Sequence, residues 1–177
     1  MIILKNKYLL FILILITNIC VGQDPKSIEK KVCELYNTYS KKKYIKANVR
    51  TELDSLSLCQ LKYLSSLDSV MQLSHTNNFD GLQTFDKRVE HYYINVSQSH
   101  FAEVLSGFYK GDGNYGSEDK IANKLFDTLL GSPPHKKILD KRINKSYSFK
   151  VTRSKDGAWI LIGVFSGDEI FFFRKFN

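Results

Sequence analysis

The sequence predicts an α/β fold, in which a small, mainly antiparallel sheet lies between helices as an α/β/α sandwich. Apolar residues first recur every three or four positions on one side, as in amphipathic helices. After Lys145 the apolar residues alternate, as in a strand. Residues 158–165 are almost entirely apolar, which is typical of a central strand covered on both faces. Such a strand requires helices on both sides of the sheet.

Residues 1–22 have the layout of a secretory signal peptide. Lys5 and Lys7 precede an apolar run over residues 8–16, and a short stretch of small and polar residues follows. The run is too short to favour a membrane span. We expect cleavage after Gly22, which leaves residues 23–177 as one secreted or periplasmic domain without a transmembrane segment. Cys20 suggests lipidation as an alternative, but the residue before it, Ile19, is not the small residue that lipidation sites have.

The chain is basic. Its formal charge is +8, and +6 remains after Lys5 and Lys7 are removed with the signal peptide. The basic residues occur in short runs, which usually form a solvated surface. The functional alternative is attraction to an anionic cell wall or to lipid headgroups. We expect no nucleic-acid partner, because no nucleic-acid-binding module accompanies the charge.

Cys33 and Cys59 remain in the exported chain. An even number of cysteines in an exported protein permits one disulfide. Two reduced thiols in the core are the equally good alternative.

Capping residues and apolar stripes predict four helices. Asp24 and Pro25 open the first, and Asp54 and Ser55 open a second that ends near Leu73. The other two are a short helix after the cap Thr84 and a longer helix that begins at Ser117. The lysine-rich residues 40–50 are expected to form a loop.

Three strands are predicted in the last third of the chain. Residues 147–151 alternate between apolar and polar, a turn follows at residues 154–157, and residues 158–165 form the buried strand. A second turn leads to residues 169–176. Short turns between neighbouring strands predict an antiparallel meander. A further extended piece is expected around residues 101–105.

A sharp turn carries the most informative histidine. Gly131 ends the fourth helix, and Ser132 and Pro133 can begin a new turn that presents His135. A second histidine, His75, lies upstream between two small polar residues.

Five motifs, which together span most of residues 23–177, resemble the CAP superfamily of cysteine-rich secretory proteins, antigen 5 and pathogenesis-related protein 1. In chain order they are Ser74-His75-Thr76 with Asp80-Gly81, then Thr84 to Val89, Ala102-Glu103-Val104, Gly131 to Leu139, and Trp159 to Phe165. The chain is most similar to small bacterial members, and its core motifs span about residues 53–168.

The resemblance implies an α/β/α sandwich with a surface cleft that can hold a divalent metal such as zinc. His75 and His135 match the two histidines of the family cleft, and Glu103 matches one of its glutamates. Ser132 stands where many members have a second glutamate. Two imidazoles and one carboxylate would leave a fourth zinc position for water.

Three functions are compatible with this cleft. The leading hypothesis is an exported binding module for a lipid or cell-envelope component, with no catalysis. The competing hypothesis is a metal-dependent hydrolase that uses His75, Glu103 and His135, because an open zinc site can activate water. The third is a structural domain with a vestigial cleft, as the missing second glutamate suggests. The sequence leaves the oligomeric state open.

Overall fold

The structure is a computed structural model that describes residues 23–94, 100–111, 113–167 and 172–173. The predicted signal peptide lies outside these residues. The helices are α1 (Pro25–Lys42), α2 (Asp54–Ser65), α3 (Phe85–Tyr92), α4 (Glu118–Gly131) and α5 (Pro133–Leu139). Short 3-10 turns span Thr51–Leu53 and Val70–Gln72. The strands are β1 (Asn48–Val49), β2 (Tyr93–Ile94), β3 (Phe101–Phe108), β4 (Ser146–Arg153), β5 (Trp159–Ser166) and β6 (Phe172–Phe173).

Strand β5 is at the centre of the main sheet. The strand order is β1-β4-β5-β3, with β1 parallel to β4 and the other two pairings antiparallel. All eight residues of β5 are buried. Its side chains alternate between two apolar clusters, one on each face of the sheet. The mainly antiparallel sheet with a doubly covered central strand is therefore confirmed.

Two helical layers cover the two faces. Helices α1, α4 and α5 pack on one face with Trp159, Leu161 and Phe165 of β5. Helices α2 and α3 pack on the other face with Ile160, Ile162 and Val164. The α/β/α arrangement predicted from the apolar run is thus the observed fold.

The predicted caps of three helices are confirmed. The Asp24 carboxylate accepts hydrogen bonds from the backbone N–H groups of Lys26 and Ser27 at 3.1 and 3.3 Å. The hydroxyls of Thr84 and Ser117 cap α3 and α4 in the same way.

The second helix differs from its prediction. Helix α2 ends at Ser65, and a separate 3-10 turn occupies residues 70–72. Asp54 is the first helical residue rather than the cap, because the 3-10 turn at Thr51–Leu53 runs directly into the helix. Its carboxylate instead binds β4 through the Ser148 hydroxyl at 2.6 Å and the Lys150 ammonium at 2.9 Å. The buried face runs through Leu56, Gln60 and Leu64.

The predicted meander is wrong in its third strand. β4 and β5 form the expected hairpin, but the second neighbour of β5 is β3. Residues 172–173 pair instead with β2. Alternation shows that a segment is a strand but does not show which strand lies beside it.

The lysine-rich segment is more ordered than predicted. Helix α1 continues to Lys42, and β1 at Asn48–Val49 joins the edge of the sheet. Cys33 and Cys59 are both free and half-buried. No helix in the described part of the chain is long and apolar enough to cross a membrane.

Candidate functional site

The structure brings His75, Glu103 and His135 together from three separate elements. His75 lies in the loop after the 3-10 turn at residues 70–72, Glu103 lies on β3, and His135 lies in α5. The His75 Nδ1 atom is 2.9 Å from Glu103 Oε1. The ring centroids of the two histidines are 6.1 Å apart, at an interplanar angle of 58°. We call this group the paired-histidine site.

Arg88 is a fourth member that the sequence analysis did not single out. It lies on α3 and is completely buried, as is Val89 beside it. Its Nη2 atom donates to Glu103 Oε2 at 2.7 Å, and both terminal nitrogens lie 3.3–3.4 Å from the backbone oxygen of His75. Arg88 thereby holds both the carboxylate and the histidine loop. An arginine on the apolar side of a short helix is the sequence signal that could have indicated it.

Gln60 anchors the His75 loop from beneath. Its side-chain amide on α2 donates to the backbone oxygens of Ser74 at 2.7 Å and Thr76 at 3.3 Å. The Gln60 carbonyl in turn accepts from the Asn77 amide at 3.0 Å. Gln60 is fully buried and Asn77 is 7% exposed, so these bonds are shielded from water. The loop that carries His75 is therefore held by α2 and α3 together.

His135 enters the site at the start of a short helix. Pro133 occupies the first turn of α5, where its missing N–H costs nothing. Ser132 makes no side-chain capping bond to this helix, which differs from its predicted role. Burial lowers the pKa of His135, and the neighbouring His75 lowers it further. His135 is therefore neutral at pH 7.

Glu103 has no free oxygen for a metal ion. One oxygen faces His75 Nδ1 and the other accepts from Arg88, and the side chain is only 1% exposed. The described residues include no group of three or more His, Cys, Asp and Glu side chains that could hold a metal ion. Two imidazoles alone fall short of the three or four protein ligands of zinc sites. The geometry therefore does not fit a zinc site with Glu103 as a direct ligand.

The hydroxyl of the serine beside His75 has local hydrogen-bond partners. The Ser74 hydroxyl lies 2.8 Å from the Thr76 hydroxyl and accepts from the Thr76 N–H at 3.1 Å. Small polar side chains commonly cap turns in this way. The other two histidines, His91 and His100, are exposed.

The fold and the site together define a mixed α/β domain with two neighbouring imidazoles above a buried arginine–glutamate pair. No family model matches the sequence, and no curated protein matches it. Among solved structures, an outer surface protein from Borrelia burgdorferi is similar, with a TM-score of 0.57 and 16% sequence identity. The match covers 81% of this chain and 94% of that one. At this level of identity the similarity shows a common fold.

Proposed function

We propose that the chain is an exported CAP-type protein that acts as a binding module, with the paired-histidine site in a cleft that takes a lipid or cell-envelope component. The signal-like N-terminus and the order of the five motifs support this proposal. The similar fold of a protein described as an outer surface protein is a further, weaker support.

The observation that carries the proposal is the pairing of Glu103 with Arg88. The guanidinium satisfies one oxygen of a buried carboxylate, and His75 satisfies the other. A carboxylate held in this way is neither a free general base nor a free ligand, because both oxygens already have partners. It instead orients the His75 ring. With the Nδ1–H group donating to Glu103, the Nε2 atom of a neutral His75 ring is left as a hydrogen-bond acceptor.

The imidazoles favour a hydroxyl or another hydrogen-bonding group on the ligand. His75 is half-exposed, with 49% of its side chain accessible, and His135 lies beside it. A hydroxyl between the two rings would donate to His75 Nε2 and accept from a His135 N–H, whereas a phosphate would accept from His135 alone. The Arg88 and Glu103 charges cancel, so the site adds little net charge of its own.

A titration of ¹⁵N-histidine-labelled protein with a short-chain anionic phospholipid below its micelle concentration tests this function. We expect the His75 and His135 ring signals to shift in a saturable way, and His75→Ala/His135→Ala to lose binding. His91→Ala/His100→Ala is the matched control, since it removes two exposed histidines from elsewhere. If the cleft double variant binds as well as the wild type, the proposal fails and a vestigial cleft is favoured.

A metal-dependent hydrolase is the second candidate, and one contact favours it. A carboxylate that accepts from one ring nitrogen of a histidine is the usual partner of a metal-binding imidazole. In that function Glu103 would position His75 instead of binding the metal, and waters would complete the coordination. Stoichiometric zinc in the wild type, together with a hydrolysis that His75→Ala/His135→Ala abolishes, would establish the hydrolase and overturn the binding module.

A further inference from the structure

The positive charge of residues 23–177 is concentrated at one end of the fold. Strands β1 and β4 are parallel, so the loops that enter them lie at the same end of the sheet. These loops follow α1 and α5 respectively. We call residues 41–46 and 136–145 the basic end.

Contacts from the first segment and from the residues that flank it hold the two segments of the basic end side by side. The Tyr39 hydroxyl donates to Asp140 Oδ1 at 2.5 Å, and the Lys43 ammonium lies 4.0 Å from the same oxygen. The Asn48 N–H donates to the Lys145 carbonyl at 2.9 Å. Burial raises the pKa of Asp140, but hydrogen bonds from Lys136 and Tyr39 outweigh this, so the pKa is lowered. Asp140 is therefore ionised and bridges the two segments.

The charge count separates this end from the rest of the domain. The two segments hold nine lysine and arginine residues and one acidic residue, Asp140, for a net charge of +8. The remainder of residues 23–177 holds 15 basic and 17 acidic residues, for a net charge of −2. The basic excess is thus a local surface, although the sequence alone shows it as scattered runs.

Two exposed apolar side chains belong to the same two loops. Tyr44 is 84% exposed and Ile143 is 51% exposed. Tyr44 has a φ of 57°, a left-handed conformation that usually favours glycine or asparagine at the end of a helix. The next residue, Ile45, is buried at 4% exposure, so the turn directs one side chain inward and the aromatic ring outward.

We propose that the basic end docks on an anionic phospholipid bilayer, with Tyr44 and Ile143 entering the headgroup layer. Clustered lysine and arginine residues bind anionic lipid surfaces, and aromatic rings settle at the interface between headgroups and acyl chains. A soluble anionic polymer would be recognised by the charges but would gain little from exposed apolar groups. His135 and residues 136–139 of this surface share α5, but the proposal does not rest on the function of the paired-histidine site.

Co-sedimentation with vesicles tests the proposal. The protein is residues 23–177, which include all the described elements and omit the apolar N-terminal run that would itself insert. Vesicles of phosphatidylcholine with and without phosphatidylglycerol are compared. We expect binding only with phosphatidylglycerol, and weaker binding as salt is raised.

Two quadruple variants measure the contribution of the basic end. Each replaces four exposed cations by glutamine, so both lose the same charge. The test variant is Lys41→Gln/Lys137→Gln/Lys141→Gln/Arg142→Gln, and the control is Lys62→Gln/Lys87→Gln/Lys120→Gln/Lys124→Gln. Each lysine or arginine near an anionic membrane raises the affinity about fivefold. We therefore expect the test variant to lose at least about 100-fold in vesicle affinity and the control less than about tenfold. An equal loss in both variants would overturn the proposal.

Variants of the exposed apolar residues and of the paired-histidine site distinguish a bilayer from a soluble polymer as the partner. We expect Tyr44→Ser/Ile143→Ser to weaken vesicle binding without changing charge. If it has no effect while a soluble polyanion such as heparin competes fully, the partner is an anionic polymer and the bilayer proposal is wrong. We expect His75→Ala/His135→Ala to bind vesicles like the wild type. Vesicle binding would therefore be observed even if the proposed function of the paired-histidine site proved wrong.

Discussion

At the scale of single residues, Arg88 determines what the paired-histidine site can do. It is fully buried, contacts Glu103 at 2.7 Å, and also reaches the backbone of the His75 loop. Removing one partner of a buried ion pair leaves an uncompensated charge in a dry environment. Arg88 therefore positions His75. It does so through Glu103 and through the backbone of the His75 loop.

We predict that Arg88→Met lowers the free energy of unfolding by about 3–5 kcal/mol in urea denaturation. Arg88→Met/Glu103→Gln should cost less than the sum of the two single changes, because it leaves no unpaired charge. Lys87→Met is the control, since the neighbouring Lys87 is exposed. A loss below about 1 kcal/mol for Arg88→Met would contradict the buried ion pair.

His135 should make the protein less stable in mild acid. Its pKa in the folded state is lowered from 6.5 by burial and by His75, so the unfolded chain binds the proton more readily. The free energy of unfolding should fall as the pH decreases through the unfolded pKa. His135→Gln should remove the part of this pH dependence that comes from His135. His91→Gln, at an exposed position, is the control and should leave that part in place. Stability curves at several pH values check the difference, and identical slopes for wild type and His135→Gln would refute it.

At the scale of elements, the central strand depends on close packing at one glycine. A Cβ atom on Gly163 would lie 2.5 Å from a ring carbon of Phe149 and 2.8 Å from a methyl group of Val104. Both neighbours belong to the cluster beneath α1 and α4. Phe149 of β4 pairs with Gly163 in register, and its ring fills the space that a Cβ atom would need.

Gly163→Ala should therefore destabilise the protein by about 1–3 kcal/mol through overpacking. Gly131→Ala is a matched control at the end of α4, where a Cβ atom meets nothing within 4 Å. That change should be neutral or stabilising by about 0.5–1 kcal/mol, because alanine is the better helix former. Thermal and urea unfolding distinguish the two. Equal effects of the two substitutions would contradict close packing at Gly163.

The elements also show which features local sequence can predict. The caps at Asp24, Thr84 and Ser117 were predicted because each bonds to backbone within three residues. The contact of Asp54 with Ser148 was missed because the two residues are distant in the chain. The place of β3 beside β5 was missed for the same reason, since pairing between distant strands leaves no trace in local periodicity.

The candidate site was likewise predictable in its residues but not in its hydrogen bonds. The resemblance to a known family indicated His75, Glu103 and His135, and the fold brings them together. The hydrogen bonds that occupy Glu103 were not predictable, because they depend on the direction in which buried Arg88 extends from α3. Composition likewise shows the basic excess but does not show that two loops 95 residues apart share it.

At the scale of the whole molecule, the proposed function is that of a binding domain. The α/β/α sandwich holds two imidazoles above a charge-balanced buried pair and places its basic end on adjacent loops at one edge of the sheet. In the two proposals, α5 contributes His135 to the ligand site and its lysine residues to the membrane surface. The central claim is that Glu103 serves as a structural partner of Arg88 and His75 and does not bind a metal.

Zinc content tests this claim most directly. Residues 23–177 are equilibrated with equimolar zinc, dialysed, and measured by plasma mass spectrometry beside His75→Ala/His135→Ala and Glu103→Gln. We predict negligible zinc in all three, because two imidazoles without a third protein ligand bind zinc weakly. One zinc ion per wild-type chain, lost in both variants, would contradict the structural role of Glu103.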